Sequence, residues 1–315
     1  MIEILQAPPY ASVQDQGRPG LRAQGVPPSG AMDREALAIA NVLVGNRASS
    51  AGIEWAAGPG RLHCRRPQRM AVTGAEAAVS VNGHPVATWS AFEVPAGGMV
   101  ELGPPLTGRF SCLTVAGGIR TPPVLGSRST LMTAGFGGLK GRALRAGDLL
   151  PIGEASAPVA PAGVPVPERH RPRAGRDVRI VPGPQHDRFT RTTWEALISG
   201  AWTVSAVADR MGYRLDGPPI DHAGDPAMPS EPAVPGAMQV PVGGTPIVLM
   251  PDGPTVGGYA KLAVVIDADL GRMAQLRPGE HPVFVPVSLE EAQEARRHLE
   301  GRLHAIRGWA ARGGG

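Results

Sequence analysis

Five polar blocks in this 315-residue chain combine residue types able to grip an anion or move a proton, and each lies in a glycine- or proline-rich turn. "SVQDQGRPG" (residues 12–20) groups Gln14, Asp15 and Arg18. The planar fork of Arg18 suits a carboxylate or phosphate; alternatively Asp15 takes nearby backbone N–H groups, pairs with Arg18, and the block is only a turn. "SGAMD" (29–33) opens a helical pattern, so a carbonyl or anion can dock on its free N–H groups, with Ser29 or Asp33 as N-cap. "GSRST" (126–130) sets three hydroxyls, Ser129 among them, around Arg128, to hold either an oxyanion or a loop. "SAVADRMGYRLDG" (205–217) places Asp209 and Arg210 beside Arg214, as a site or as an ion-pair turn. In "PGAMQVPVGGTPIVLMPDGPTVGGY" (235–259), Gln239 precedes the apolar run "PIVLM" and Asp252, Thr255, Gly257, Gly258 and Tyr259 follow it. A carboxylate there can accept a proton, a tyrosine hydroxyl can donate a hydrogen bond, and the glycines admit a ligand or a second backbone. Gln239 and Asp252 lie near opposite ends of the run, beyond one side chain's reach, so they need not share a site.

These blocks need a rigid frame, and the pattern between them is mostly β. Residues 70–74, 77–89, 94–102 and 109–118 read as strands, with Asn82-Gly83 as a two-residue hairpin turn. Residues 29–46 form a helical pattern with Ala36, Leu37, Ala40 and Val44 on one face and Gly45 as its stop. "EASAPVAPAGVPVPERHRPRAG" (154–175) is proline-rich and lacks apolar periodicity, as a linker would, and it divides the chain into two comparable halves. Beyond it, "DVRIVPGPQ" and residues 201–217 read as strands and turns, while "PIVLM" and "KLAVVIDADL" read as buried strands, the former covered on both faces. A helix begins near Ser288, where "SLEE" matches a capping box, with Leu289, Ala292, Leu299, Leu303 and Ile306 as its apolar stripe and a glycine tail expected to fray.

Composition excludes several functions. With 42% hydrophobic and 18% charged residues, the chain is globular and long enough for two domains. Its net charge of +4 is modest, Lys140 and Lys261 are its only lysines, and no nucleic-acid motif is present. The N-terminus has no secretory pattern, no apolar run reaches membrane-spanning length, and Cys64 and Cys112 suit a reducing compartment, so the expected location is the cytoplasm. G-x-x-x-x-G-K-[ST], G-x-S-x-G and H-E-x-x-H are all absent, and the eight histidines lack metal-ligand spacing. "GFGGLKG" (135–141) has no strand before it and no helix after it, and reads as a structural turn. Without a Met-Lys-Met sequence, covalent biotin is not expected on this chain.

"VQDQGRPG", "GVPPSGAMD", "LTVAGGI", "LGSRST", "RALRAGDLLPIG", "VPGPQHDRF", "ADRMGYRLDG", "SEPAVPGAMQVP" and "DGPTVGGYAKLAVVI" stand in the order found in the carboxyltransferase-like family, which the chain resembles from about residue 4 to about residue 288. The family includes bacterial 5-oxoprolinase subunits, KipA and the matching part of urea carboxylase. Two departures are visible. "DGPTVGGY" lacks the basic residue that many relatives carry after the aspartate, so no role for a positive charge beside Asp252 carries over, and "DHAGDPAMPSEP" is a variable approach to Ser230 and Glu231.

The resemblance implies a mainly β fold: two cyclophilin-like β-barrel domains (1–153 and 176–288) with a few short helices, the 154–175 segment as linker, and a C-terminal helix and tail (289–315). It implies a hydrolase subunit that helps cleave 5-oxo-L-proline to L-glutamate with ATP. Two partners are implied with it, one KipI-like and one LamB/YcsF-like, and the ATP site lies on this chain or on one of them. Self-association and any metal are left open. Two alternatives carry over from other members: a biotin-dependent carboxyltransferase component that acts on a urea-like amide, and a KipA-type non-catalytic module that sequesters a kinase inhibitor. All the candidate substrates contain a planar N–C=O group, expected to lie in a cradle of polar loops at the barrel rims. On this reading Arg18, Arg128 and Arg210 grip anionic groups, Asp33, Asp209 and Asp252 are candidates for proton transfer, and Gln239 and Tyr259 orient the substrate. Gln14, Ser29, Ser129, Glu231, Thr255, Gly257 and Gly258 complete the binding surface.

Overall fold

The computed structural model of the chain describes residues 1–155, 160–224 and 228–313. Among the described residues the fold is mainly β, with two curled half-barrel sheets and four α-helices. Its two compact units are not consecutive halves: one comprises Met1–Arg18, Ser29–Arg173 and Glu300–Gly315, the other Pro19–Pro28 and Ala174–Leu299.

The first unit holds β1 (Ile2–Gln6), β2 (Ser12–Gln14), helix α1 (Arg34–Leu43), β3 (Gly52–Ala56), β4 (Gly60–Cys64), β5 (Gln68–Val81), β6 (His84–Pro85), β7 (Ala91–Val94), β8 (Gly98–Val115) and β9 (Leu149–Leu150). Strands run in the order β2-β3-β8-β4-β1-β9, and β5 pairs with β6, β7 and β8. β8 curls the sheet: its first residues pair with β4, its last with β3, and the register with β5 shifts three times between Gly74 and Val79. Asn82 and Gly83 both adopt positive φ (51° and 80°), as the hairpin turn requires.

Asp33 caps α1, its carboxylate accepting from Ala36 N at 2.9 Å, and Gly45 follows at φ 79°. Ala36, Leu37, Ala40 and Val44 are all buried. One core lies inside the sheet around Ile4, Trp55, Leu62, Val100 and Leu113. A second joins α1 to Ile306, Trp309 and Ala310 near the C-terminus. Part of the proline-rich segment is also bound to this unit: Gly163 N and Val166 N donate to Ala91 O and Trp89 O, and Ala160 and Val166 are fully buried. Residues 156–159 of the expected linker, and 314–315 of the expected tail, lie outside the described residues.

The second unit holds β10 (Asp177–Pro182), α2 (Arg191–Ser199), β11 (Thr203–Val204), β12 (Gly212–Asp216), β13 (Glu231–Pro232), β14 (Ala237–Val240), β15 (Ile247–Leu249), β16 (Val256–Gly257), β17 (Ala260–Val265), α3 (Leu270–Gln275) and β18 (Val283–Pro286). Its seven strands run β11-β12-β15-β14-β17-β10-β18, so the apolar β15 is interior, while β13 and β16 form a separate two-stranded ribbon. The expected strand through Leu270 ends at Val265, because the buried Asp269 turns back to take three hydrogen bonds, at 2.7–2.9 Å, from the backbone and guanidinium of Arg179.

Helix α4 (Leu289–Ala311) opens with the predicted capping box: Ser288 N donates to Glu291 at 2.7 Å and Glu291 N to the Ser288 hydroxyl at 3.1 Å. Its buried face is Ala295, Ile306, Trp309 and Ala310, whereas Leu289, expected in the stripe, is 63% exposed one residue past the cap.

Candidate functional site

In the first unit the polar blocks 12–20 and 126–130 fold against each other around the Asp15 carboxylate. It accepts four hydrogen bonds: from Gly17 N at 2.8 Å, the Ser127 hydroxyl at 2.6 Å, Arg128 N at 2.6 Å and the Ser129 hydroxyl at 2.5 Å. Gln14 donates to Ser12 and to Thr130 O, and the Ser29 hydroxyl donates to the same carbonyl. Arg18 is buried; its guanidinium donates to Ser129 O and lies over the Phe136 ring at 5.0 Å. Gly137, in the "GFGGLKG" turn, permits that packing: a Cβ there would strike Ser129 O and lie 3.0 Å from Arg18. Arg128 turns away, donating from Nε to Thr121 O at 2.8 Å. The structure thus gathers Gln14, Arg18, Ser29 and Ser129, while the Arg128 guanidinium and the α1 cap Asp33 each have local tasks.

In the second unit the candidates form two groups. Arg210 and Asp252 make a buried bidentate pair, Nε to Oδ2 at 2.7 Å and Nη2 to Oδ1 at 3.1 Å, reinforced by Asp252 N donating to Arg210 O. The pair ties the turn after β15 to the turn before β12. Arg214, four residues after Arg210, is exposed. Asp209 accepts from Met211 N and Gly212 N, an ordinary side-chain turn. Thr255 is buried and its carbonyl accepts from Ala233 N.

The other group surrounds Lys261. Gln239 and Lys261 are direct register partners on β14 and β17, next to a register shift, so their side chains share one face of the sheet. Glu231 faces Gly257 across the β13–β16 ribbon. Lys261 is 3% exposed, and its ammonium meets Glu231 at 3.2 Å. Gln185 completes the group: its amide donates to the same Glu231 oxygen at 2.8 Å and accepts from Lys261 N at 3.2 Å. Gly183 lets this turn lie on β17, since a Cβ there would overlap Lys261 O. The Gln239 amide packs on Gly257, where a Cβ would approach Nε2 to 2.5 Å, and Gln239 Nε2 is buried with no acceptor among the described residues. Gly258 lies beside Met228 O and Ser230, and Tyr259 is 44% exposed. Of the "DHAGDPAMPSEP" approach, residues 225–227 lie outside the described residues.

Sequence reasoning brought Gln239, Glu231, Gly257 and Gly258 into the candidate set but missed Lys261 and Gln185. The signal for Lys261 was present: it is one of only two lysines and interrupts the apolar run "AKLAVVI". A groove of about 540 Å³ lined by Phe189, Trp194 and Pro286 contains none of the candidates. Among the described residues no group of three His, Cys, Asp or Glu side chains is placed to hold a metal, and no helix is long and apolar enough to cross a membrane.

The carboxyltransferase domain family, subdomains A and B, matches residues 24–286. The C subunit of 5-oxoprolinase from Escherichia coli (strain K12) is 40% identical over 314 residues, covering 96% of this chain and 99% of that one. That of Haemophilus influenzae is 37% identical, with 98% of each chain covered. The crystal structure of the K. lactis urea amidolyase superposes with a TM-score of 0.90 at 29% identity, over 97% of this chain but only 20% of that one. The chain belongs to the carboxyltransferase domain family.

Proposed function

We propose that this chain is the C subunit of an ATP-dependent 5-oxoprolinase, which opens 5-oxo-L-proline to L-glutamate beside a KipI-like and a LamB/YcsF-like subunit in the cytoplasm. The observation that carries this reading is the reciprocal coverage of relatives bearing that name, 96% and 99% in the E. coli case. The buried free thiols of Cys64 and Cys112 suit that compartment.

Holding a small anionic substrate in place calls for fixed hydrogen-bond donors. In the second unit Lys261, Gln185 and Gln239 provide three such donor groups beside Gly257. Asp33, Asp209 and Asp252 each hold local structure through their carboxylates. This chain's part is therefore to hold the substrate. We place the nucleotide on a partner; the close packing of Gly137, Gly138 and Gly141 on residues 129, 130 and 135 supports "GFGGLKG" as a structural turn.

Mixing the three purified subunits with 5-oxoproline and ATP tests the reading: glutamate and phosphate should appear in equal amounts and only with this chain present. Absence of glutamate from the assembled mixture would overturn it. The likeness to the K. lactis urea amidolyase favours a second reading, carboxyl transfer from biotin on another chain to a urea-like amide. In that case turnover would require a biotinylated carrier.

A further inference from the structure

A lysine ammonium sealed inside a protein needs an anion, and the residue that supplies it here is poorly suited to permanent service. Lys261 is 3% exposed, yet the side chain of its partner Glu231 is 43% exposed and sits on a two-stranded ribbon. The carboxylate can rotate into water at little cost, whereas the ammonium cannot follow it. One amide bonds to that carboxylate, and a second lies against the strand residue paired with Glu231. Gln185 Nε2 already donates to Glu231 at 2.8 Å, and Gln239 Nε2, in a residue 3% exposed, lies against Gly257, the register partner of Glu231, with no acceptor among the described residues. One cation and one amide donor therefore hold a displaceable carboxylate, with a second amide donor nearby. The missing Cβ at residue 257 lets the Gln239 amide lie directly against the ribbon strand that faces Glu231.

We propose that Lys261, Gln239 and Gln185 form a receptor for the carboxylate of a small-molecule ligand, with Glu231 as an internal stand-in that the ligand displaces. The choice of 5-oxoproline as that ligand rests on the proposed function; the receptor itself rests on the geometry. The ligand's carboxylate replaces that of Glu231 on the Lys261 ammonium and the Gln185 amide, and sits displaced from it toward Gln239 so that it also accepts from Gln239 Nε2. A carboxylate that fills three donors outcompetes one that leaves Gln239 Nε2 unmatched. Recognition is then directed at the acid, and the lactam ring is left free for chemistry by other groups.

Calorimetric titration of the full chain with 5-oxoproline, and with 2-pyrrolidinone as the same ring without its carboxylate, tests the receptor. The wild-type chain should bind the acid at least about tenfold more tightly than the neutral lactam, and Lys261→Met should erase that preference. Gln239→Leu should weaken acid binding by about tenfold and leave lactam binding unchanged. Glu231→Gln should bind the acid several-fold more tightly than wild type, an outcome a purely structural ion pair would not give. An acid-to-lactam ratio unaffected by Lys261→Met, or acid binding that weakens or vanishes in Glu231→Gln, overturns the proposal. Should Lys261→Met fail to fold, the Glu231→Gln and Gln239→Leu titrations decide alone. In the assembled complex, KM for 5-oxoproline should rise in Gln239→Leu with kcat little changed. A complex that releases no glutamate, with these binding differences intact, would sink the functional reading and leave the receptor standing.

Discussion

Two buried charges, one in each unit, are neutralised in opposite ways. The Asp15 carboxylate is enclosed by two hydroxyls and two backbone N–H groups, all fixed by neighbouring turns. The Lys261 ammonium instead depends on a half-exposed glutamate, beside an amide nitrogen with no acceptor among the described residues. A charge surrounded by fixed, fully used partners is architecture. It holds the Gly17–Arg18 corner against Ser129 and has no valence left for a ligand. A charge with a movable partner and an unused donor next to it can exchange that partner for something else.

The largest test of this contrast is Asp15→Ala, which strands four donors inside the first unit. It should lower the unfolding free energy of the full chain by on the order of 5 kcal/mol, measured by urea titration. A loss below about 1 kcal/mol would mean that the network is not structural. Arg210→Ala, which leaves the Asp252 carboxylate buried without its guanidinium, should cost about 3–5 kcal/mol, and the double replacement Arg210→Met with Asp252→Leu should recover most of it. No recovery in the double variant would point to a role for that pair beyond charge balance.

A smaller effect is expected at Asp148, where two hydrogen bonds from the Arg142 guanidinium, at 2.7 and 2.8 Å, hold the carboxyl below its usual range. Its folded-state pKa is depressed, so the stabilisation is complete above the ordinary carboxylate range and is lost as pH falls through the folded value. Asp148→Asn should flatten the acid limb of the stability profile, by about 1–2 kcal/mol. The smallest effect on stability belongs to Lys261→Met. The orphaned Glu231 stays hydrated, so the change should lie within about 1 kcal/mol of zero, although carboxylate preference is lost. A loss of about 3 kcal/mol or more would place Lys261 in the same class as Asp15.

Much of the frame was legible without coordinates. The Asn82-Gly83 turn, the α1 pattern ending at Gly45 and the Ser288–Glu291 capping box each depend on contacts within a few residues, the interior β15 was marked by its unbroken apolar run, and each stands where the sequence indicates. Helix α2 was missed because the run "TRTTW" places β-branched threonines in its first turn, where the Thr190 cap outweighs their propensity. The site was less legible. "ADRMGYRLDG" suggested an ion-pair turn among Asp209, Arg210 and Arg214, but the actual partner of Arg210 is Asp252, 42 residues away. Asp15 and Arg18, neighbours in one turn, both turn to residues more than a hundred positions along the chain.

The sequence by itself determined where the chain turns, caps and alternates, because those features follow from the φ preferences of asparagine and glycine, from side chains that reach their own backbone, and from the two-residue repeat of a strand. It also determined family membership, through blocks kept in one order. Only the tertiary structure decided which polar groups are used up on one another and which retain a free valence. Burial and hydrogen-bond saturation are sums over strands that register, bulges and long-range pairing bring together, and no local pattern records that sum for Gln239 and Lys261 on β14 and β17.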